Sequence, residues 1–382
     1  MSKIGLRIKE ITVLFKLFVA CFLTGCRKQK NLWLISERGQ EARDNGFVFF
    51  EYIKQTKKHI DVRYVIDFGS KDYHKFDKYP NSVVQYGTFE HYKVLCKSSV
   101  LISTHIMGYT PFIDFFVKLD RKYKIFRYKK QVFLQHGIIK DYLPGLMSDS
   151  INVDLFCCGA KPEYEYILAN FGYSKKIVQY TGLCRYDKLN GFYSKKQILA
   201  MPTWRMYEKG NDFTSTTYFK NWSSFLENSH LHFLLEKYGY ELVFYPHYEV
   251  QKYINAFKSL RLGTHIKIAN FDYDVQTLLK ESCMLITDYS SVYFDMAYMR
   301  KPIFFYQFDE DEFRSKHYQR GYFREETLGY KCNAQVQLLA ALEKLCQDGM
   351  VMERKYMETV DKFFELRDCK NCERVYDAII NC

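Results

Sequence analysis

Short apolar runs alternate along this chain with segments of helical spacing, and this alternation constrains the fold more than any other feature. Strands that alternate with helices form parallel sheets with helices on both faces. The runs fall into two series joined near Gly191, which predicts an α/β protein of two doubly wound, Rossmann-like domains facing across a cleft. The strand-like runs are 32–35, 62–66, 100–103, 131–134, 155–158 and 177–180, then 197–201, 241–245, 266–268, 284–286 and 303–305.

The predicted boundaries are 1–30 for a separate amino-terminal segment, 31–190 for the first domain and 191–382 for the second, which includes carboxy-terminal helices. A chain of 382 residues is long enough for two domains, and its content of 47% hydrophobic and 26% charged residues is that of a globular protein. The net charge of +12 favours an anionic partner. The sequence lacks arginine-rich tracts and zinc-finger spacing, so we expect a membrane surface or a phosphorylated substrate rather than nucleic acid.

The twelve cysteines are scattered, which is typical of a reducing cytoplasm. Cys369 and Cys372 form a CxxC without a second pair, so we expect ordinary thiols and no metal site. Asp272 and Asp274 superficially resemble a metal-binding Asp-x-Asp, but the spacing favours a cap for a helix from residue 275. The acidic run 309–312 is interpreted as a solvated turn.

The amino-terminal segment carries an apolar stripe with helical spacing and several basic residues. This pattern predicts an amphipathic helix at a membrane interface. The apolar run 11–25 contains Lys16 and is too short to span a bilayer. Residues 23–26 also resemble a lipoprotein signal with Cys26 as the acylated residue, which would mean export, and plain packing of the helix is a third interpretation. The basic cluster after Cys26 favours peripheral attachment to the cytoplasmic face of the membrane. The stripe is Ile4, Ile8, Ile11, Phe15, Phe18 and Phe22.

Polar residues follow several predicted strands directly, at the edge where doubly wound sheets bind ligands. Each alone is more often structural than functional, but together they predict a site. They are His136 with Gly137, Arg185 and Asp187 after Gly182, Thr203 with Arg205, His247, and the run 287–291.

The run Thr287-Asp288-Tyr289-Ser290-Ser291 separates a buried strand from a helix that ends before Pro302. A helix start can bind an anion through unpaired N–H groups and the helix dipole. The same residues could instead only cap the helix. On this stretch alone both interpretations stay open.

Five segments together resemble the CDP-glycerol glycerophosphotransferase family, the teichoic-acid and capsule polymerases. The resemblance covers roughly residues 31–330. It implies a GT-B fold and transfer of glycerol phosphate, or a related polyol phosphate, from a CDP-activated donor to an acceptor hydroxyl with release of CMP. The segments are LQHGIIKDYLPGL, YTGLCRYDKL, ILAMPTWR, FYPHYEV and DVQTLLKESCMLITDYSSVYFDMAYMRKPIFFYQFDEDEF.

The resemblance also implies residue roles. His136 would be the base on the acceptor hydroxyl, and His247 a second active-site histidine near the donor diphosphate. The remaining donor-binding residues would be Arg205, Thr203, Thr287, Asp288, Ser290 and Ser291, and the candidate acceptor or cleft residues Gly137, Lys140, Arg185 and Asp187. Residues 138–140 read Ile-Ile-Lys where many members have Thr-Pro-Leu-Lys, and Leu328 precedes Gly329 where a proline is common, which puts the acceptor in doubt.

Attack of an alcohol on a diphosphate needs a base and positive groups for the developing charge, and histidine, arginine and backbone N–H groups supply both without a cofactor or metal. The expected partners are a CDP-polyol donor, a lipid-linked or oligomeric glycan or polyol-phosphate acceptor, and the membrane surface. Two alternatives are a GT-B glycosyltransferase that uses a nucleotide sugar, and a lipid-anchored binding protein without catalytic activity.

Overall fold

The strands of the computed structural model fall into two separate sheets, one in each of two units defined by internal contacts. The structure describes residues 3–25, 28–191, 193–210, 212–317 and 319–382. The first unit comprises Met1–Ile138, Leu143–Lys188 and Leu366–Cys382, and the second Ile139–Tyr142 and Leu189–Glu365.

The first sheet has seven strands in the order β3-β2-β1-β4-β5-β6-β7, and every pairing is parallel. This order reverses between β1 and β4, as in dinucleotide-binding folds. The strands are β1 Gln29–Ser36, β2 Asp61–Ile66, β3 Val83–Gln85, β4 Ser98–Ser103, β5 Lys130–Phe133, β6 Leu155–Cys158 and β7 Val178–Tyr180.

The second sheet has six parallel strands in the order β10-β9-β8-β11-β12-β13, with the same reversal between β8 and β11. The two-domain α/β prediction is therefore confirmed, and each predicted strand corresponds to one of these thirteen. The three-residue edge strands β3 and β13 were not predicted. The strands are β8 Gln197–Ala200, β9 Glu241–Phe244, β10 Ile266–Ile268, β11 Met284–Thr287, β12 Ile303–Tyr306 and β13 Tyr330–Cys332.

Helices connect the strands. Several have side-chain caps that the sequence supplies locally, such as Asp44 before α2 and Asp274 before α9, the latter as predicted. They are α1 Lys3–Thr24, α2 Asn45–Thr56, α3 Phe89–Lys97, α4 Ile113–Tyr123, α5 Lys161–Asn170, α6 Thr217–Leu226, α7 Ser229–Tyr238, α8 Ile254–Lys258, α9 Val275–Glu281, α10 Tyr293–Tyr298, α11 Glu310–Lys316, α12 Gln335–Gln347, α13 Arg354–Phe363 and α14 Asn371–Asn381.

The last helix, α14, packs into the core of the first unit. Cys372, Val375 and Ile379 are buried there in one apolar cluster with Trp33 of β1 and Ile53 of α2. The predicted boundary placed all of 191–382 in the second domain, whereas the contacts group 366–382 with the first unit. The eleven cysteines among the described residues are free thiols.

Helix α1 buries Val13 and Ala20 in a cluster that includes residues of α3 and leaves several large apolar side chains exposed. Phe15, Phe18 and Phe22 are each about two-thirds or more exposed, at 67%, 70% and 76%. No helix in the described parts of the chain is both long and apolar enough to cross a membrane. Cys26, the predicted acylation position, lies outside the described residues.

Candidate active site

The candidate site residues follow the carboxyl ends of strands in the two sheets, and those after β8 and β11 lie where the strand order of the second sheet reverses. In the first unit β1 ends at Ser36 and β4 at Ser103, and in the second β8 ends at Ala200 and β11 at Thr287. Ligands of doubly wound sheets bind beyond the carboxyl ends of the strands at this point.

His136 follows β5 in a loop whose backbone is fixed on both sides. Gln135 adopts a left-handed conformation with φ of 61°. The Gln135 carbonyl accepts a hydrogen bond from Asn45 Nδ2 (2.7 Å), and the His136 carbonyl accepts one from Arg185 Nη1 (2.9 Å). A non-glycine residue at positive φ is uncommon and costs free energy. The surrounding contacts therefore hold a strained turn that presents the His136 ring.

The ring of His136 is exposed at the surface, and within the described residues it forms no hydrogen bond. The dense protein around it limits its hydration, which lowers its pKa from the ordinary value; the charge of Asp44 acts against this change and that of Arg185 adds to it. A histidine that is neutral near physiological pH can accept a proton.

Arg185 and Asp187 are held by protein groups. Arg185 is buried and forms an ion pair with Asp44 (2.8 Å), whose carboxylate also caps α2. Asp187 accepts hydrogen bonds from the backbone N–H groups of Asn371 (2.9 Å) and Cys372 (2.8 Å), at the start of α14. Arg185 therefore helps to fix the backbone at His136, and Asp187 ties the start of α14 to the segment after β7.

His105, at the end of β4, was not among the predicted site residues. Its ring lies parallel to that of His136, with centroids 4.7 Å apart and an interplanar angle of 9°. Burial, the neighbouring His136 and Arg38 lower the pKa of His105 to about 3. Its position two residues after the predicted strand 100–103 is the signal that could have identified it.

Glu37 occupies the amino end of α2, where a doubly wound nucleotide site would hold a phosphate. Its fully buried carboxylate accepts the backbone N–H groups of Arg43 (2.9 Å), Asp44 (3.2 Å) and Phe47 (2.8 Å). Burial and the charge of Asp44 raise its pKa to about 8, against the effect of these N–H groups. The side chain fills this position, which argues against a donor phosphate at the same point of the first unit.

In the second unit Asp288 organises the reversal point. Its Oδ1 accepts the backbone N–H of Thr203 (2.8 Å) and that of Tyr289, which ties the end of β11 to the segment after β8. Thr287 donates its hydroxyl to the Met201 carbonyl (2.7 Å). Gln307 Nε2 donates to the Asp288 carbonyl (2.9 Å). Thr287 and Asp288 are both fully buried, so they shape the loop that follows them.

Arg205 is fully buried between two carboxylates. Its Nε and Nη2 donate to both oxygens of Asp309 (2.6 and 3.0 Å), and its Nη1 donates to Asp288 (2.8 Å) and to the Thr203 carbonyl. The sequence predicted a solvated acidic turn at 309–312, which is wrong for Asp309, since this residue is buried and paired. The guanidinium thus braces the loop from within, which differs from the phosphate contact expected for it.

Ser290 and Ser291 are partly exposed, and their hydroxyl groups form no hydrogen bonds within the described residues. Helix α10 begins at Tyr293 with Val292 as its amino-terminal cap residue, so neither Asp288 nor Ser290 caps it. The Thr203 hydroxyl and the Gln307 side-chain oxygen are buried without a partner in the described structure. Such groups are rare in native proteins and often indicate a missing ligand or water.

His247 follows β9 and begins a 3-10 turn, where its Nδ1 accepts the N–H of Glu249 (3.3 Å). Burial lowers its pKa, while the charges of Glu249 and Asp288 raise it. His247 and Asp288 follow two strands of the same sheet, β9 and β11. Nε2 then remains to contact a ligand.

Lys140 also belongs to the second unit, whereas Gly137 belongs to the first. The Lys140 ammonium lies 3.6 Å from the carboxylates of both Asp141 and Glu325. Although burial raises the pKa of Glu325, Lys140 and Arg314 hold it below its ordinary value. Lys140 therefore sits in a buried ionic cluster. Across the described residues, no group of three or more His, Cys, Asp or Glu side chains has the geometry of a metal site.

Two Rossmann-like units, each with a parallel sheet whose strand order reverses once, define a fold of the GT-B type. A family model described as CDP-glycerol:poly(glycerophosphate) glycerophosphotransferase matches residues 17–381, and the chain belongs to this family.

Two curated relatives come from Bacillus subtilis (strain 168). The chain is 30% identical over 370 residues to the minor teichoic acid biosynthesis protein GgaB, a match that covers 92% of this chain and 40% of GgaB. It is 28% identical over 205 residues to a teichoic acid poly(glycerol phosphate) polymerase, covering 50% of this chain and 25% of that protein. The chain thus spans less than half the length of these relatives.

Among solved structures, the wall teichoic acid polymerase TagF has the same fold. One TagF structure superimposes with a TM-score of 0.67 at 18% identity and covers 100% of this chain and 98% of that one. This likeness supports the fold.

Proposed function

We propose that the protein transfers glycerol phosphate from CDP-glycerol to an acceptor hydroxyl, with release of CMP, in the synthesis of a teichoic-acid-like or capsular polymer. The observation that carries the proposal is the family match over residues 17–381. The relatives are teichoic acid proteins, and a TagF variant has been soaked with CDPG.

His136 is the general base on the acceptor hydroxyl in this proposal. Its exposed ring, its lowered pKa and the hydrogen bonds to the Gln135 and His136 carbonyls support this role. General base catalysis contributes about 10²–10⁴-fold to a rate. We therefore expect His136→Ala to reduce CMP release by at least 10²-fold with donor binding retained.

The donor phosphates bind in the second unit through His247, the Thr203 hydroxyl, Ser290 and Ser291. Each of these groups has polar atoms that are exposed or lack a full set of partners within the described structure. Arg205, Asp288 and Thr287 contribute by holding the loop, because their polar atoms are buried and engaged with the protein.

The test is CMP release by purified protein with CDP-glycerol, CDP-ribitol or a nucleotide sugar as donor and an oligomeric glycerol phosphate as acceptor. The proposal requires acceptor-dependent CMP release, with product extended by one or more phosphodiester units in mass spectra. Consumption of a nucleotide sugar with no CMP release would instead support the glycosyltransferase alternative.

We also propose that α1 attaches the protein peripherally to the cytoplasmic face of the membrane, where a lipid-linked acceptor would be available. The exposed apolar residues of α1 and nearby basic residues such as Arg7 support this proposal. Phe15→Ser combined with Phe18→Ser should reduce co-sedimentation with phosphatidylglycerol vesicles. Phe233→Ser, at an exposed position of α7, is the matched control. Equal sedimentation of both variants would contradict the proposal.

A further inference from the structure

Among the described residues, no carboxylate or amide forms a hydrogen bond with the ring of the base His136, although general bases in proteins usually have such a partner on the second ring nitrogen. Within the described residues its imidazole makes no hydrogen bond, and its described ring contact is the parallel stack with His105 at 4.7 Å. The contacts of Gln135 and of the His136 carbonyl fix the backbone but leave the side-chain torsions free. Something else must therefore set the orientation of the ring.

His105 is itself firmly held. Its backbone N–H donates to Ser103 Oγ (3.1 Å), and Ser103 Oγ donates to the Ser36 carbonyl across β1 and β4 (2.7 Å). Its Nδ1 lies 2.9 Å from the Thr104 hydroxyl. A Cβ at Gly108 would lie 2.3 Å from Ser103 Oγ, so the loop after β4 closes tightly around this contact only because glycine is present. His105 thus offers a rigid, flat surface.

We propose that His105 is a positioning residue for His136, whose ring it supports face to face so that the base keeps one orientation toward the acceptor. The expected effect on catalysis rests on the proposed function, whereas the contact between the two rings is a property of the fold. A neutral ring suits the role because it does not repel His136 when that residue takes the acceptor proton. The charged groups around the pair, Arg38, Glu41, Asp44 and Arg185, carry two charges of each sign.

The test compares His105→Phe with His105→Leu. Both side chains are apolar and of similar size, but only phenylalanine retains a flat ring for stacking. We expect H105L to lower kcat for CMP release about 10–100-fold with KM for CDP-glycerol changed less than twofold, and H105F to stay within about threefold of the wild type. Thr104→Val should have a smaller effect of the same kind. A purely structural role would lower the melting temperature of both variants without this difference in kcat.

A second measurement does not need activity. The Cε1–H resonance of His136, assigned by its loss in His136→Ala, should carry a ring-current shift in the wild type and in H105F that disappears in H105L. The wild type could release no CMP and still show the ring-current shift that H105F keeps and H105L loses. The proposed function would then be wrong, but the inference that His105 positions the His136 ring would be supported. Equal kcat in H105F and H105L, or a His136 resonance indifferent to both, would overturn the inference.

Discussion

At the scale of single residues, the second unit is organised by a buried arginine rather than by the exposed serines that the sequence emphasised. Arg205 is paired with both Asp288 and Asp309 at full burial. The desolvation of such charges is offset only when the geometry is good and every partner is present, so loss of one partner leaves buried charge uncompensated. The rigid planar fork of arginine makes the two-sided arrangement feasible.

Arg205→Ala should therefore destabilise the second unit strongly. Breaking a buried pair typically costs about 3–5 kcal/mol of unfolding free energy. Urea unfolding can be followed by fluorescence, since Trp204 and Trp222 lie in this unit. The matched control is Arg300→Ala, which removes an exposed pair with Asp361 (2.6 Å) and should cost less than about 1 kcal/mol.

A combination of two results would contradict the bracing role of Arg205. If R205A were as stable as R300A and its only defect were a raised KM for CDP-glycerol, Arg205 would bind the donor directly instead of bracing the loop.

His91 should make the first unit sensitive to acid. Its Nε2 lies 2.8 Å from the Tyr109 carbonyl and its Nδ1 accepts the Gly87 N–H (3.2 Å), so the neutral ring satisfies both groups. Burial lowers the pKa of His91 to about 4. The unfolded chain takes up a proton near pH 6.5 whereas the native ring does not, so stability is lost as pH falls from 6.5 toward 4.

Between pH 7.5 and pH 5 this one group should remove about 2 kcal/mol from the unfolding free energy. His91→Gln should make the pH dependence shallower by that amount in chemical denaturation at the two pH values. His230→Gln, at a partly exposed position of α7, is the control. Identical pH profiles for the wild type and H91Q would show that the native ring is already protonated at pH 5.

At the scale of elements, the loop between β11 and α10 contains two kinds of residue: some stabilise the loop, and others can contact a ligand. Thr287 and Asp288 are buried and bonded, whereas Ser290 and Ser291 have hydroxyl groups without described partners. Ser290→Ala combined with Ser291→Ala should weaken CDP-glycerol binding at least about tenfold, because a hydrogen bond to a charged group is worth about 1.5–3 kcal/mol.

The same double substitution should leave the unfolding free energy within about 0.5 kcal/mol, as expected for surface positions. Thr287→Val is the contrasting variant, because it removes the bond to the Met201 carbonyl and should lower stability. Isothermal titration with CDP-glycerol and urea unfolding measure the two quantities. Unchanged affinity in the double variant would show that the two hydroxyl groups do not contact the donor.

The elements that the sequence predicted best are those whose signal is local. Apolar runs located eleven strands, and His136, His247 and the 287–291 loop follow β5, β9 and β11 as predicted, while their roles stay predictions. The edge strands β3 and β13 were missed, although the equally short edge strands β7 and β10 were predicted, so length alone does not explain the difference. His105 and Asp309 were missed because their partners, His136 and Arg205, lie 31 and 104 residues away along the chain.

At the scale of the whole molecule, the chain returns to the first unit after completing the second. Helix α14 contributes Val375 and Ile379, exposed by 0% and 1%, to the cluster around β1 and α2. Lys130 Nζ donates to the Ile379 carbonyl (2.7 Å), which ties the helix to the start of β5. Packing of α14 on the first unit depends on contacts between segments distant in the sequence, and no local sequence pattern indicates it. The predicted second domain therefore extended to the last residue.

Ile379→Ala should therefore destabilise the first unit although it lies at the far end of the chain. Truncation of a buried isoleucine costs about 2–5 kcal/mol, because apolar contacts are lost and a cavity remains. Hydrogen–deuterium exchange should accelerate in β1 and α2 and stay unchanged in β8 and β9. The neighbouring Ile380 is 51% exposed, so Ile380→Ala is a control of identical chemistry that should leave both units unchanged. Faster exchange in β8 and β9 instead would place α14 with the second unit, as the sequence alone suggested.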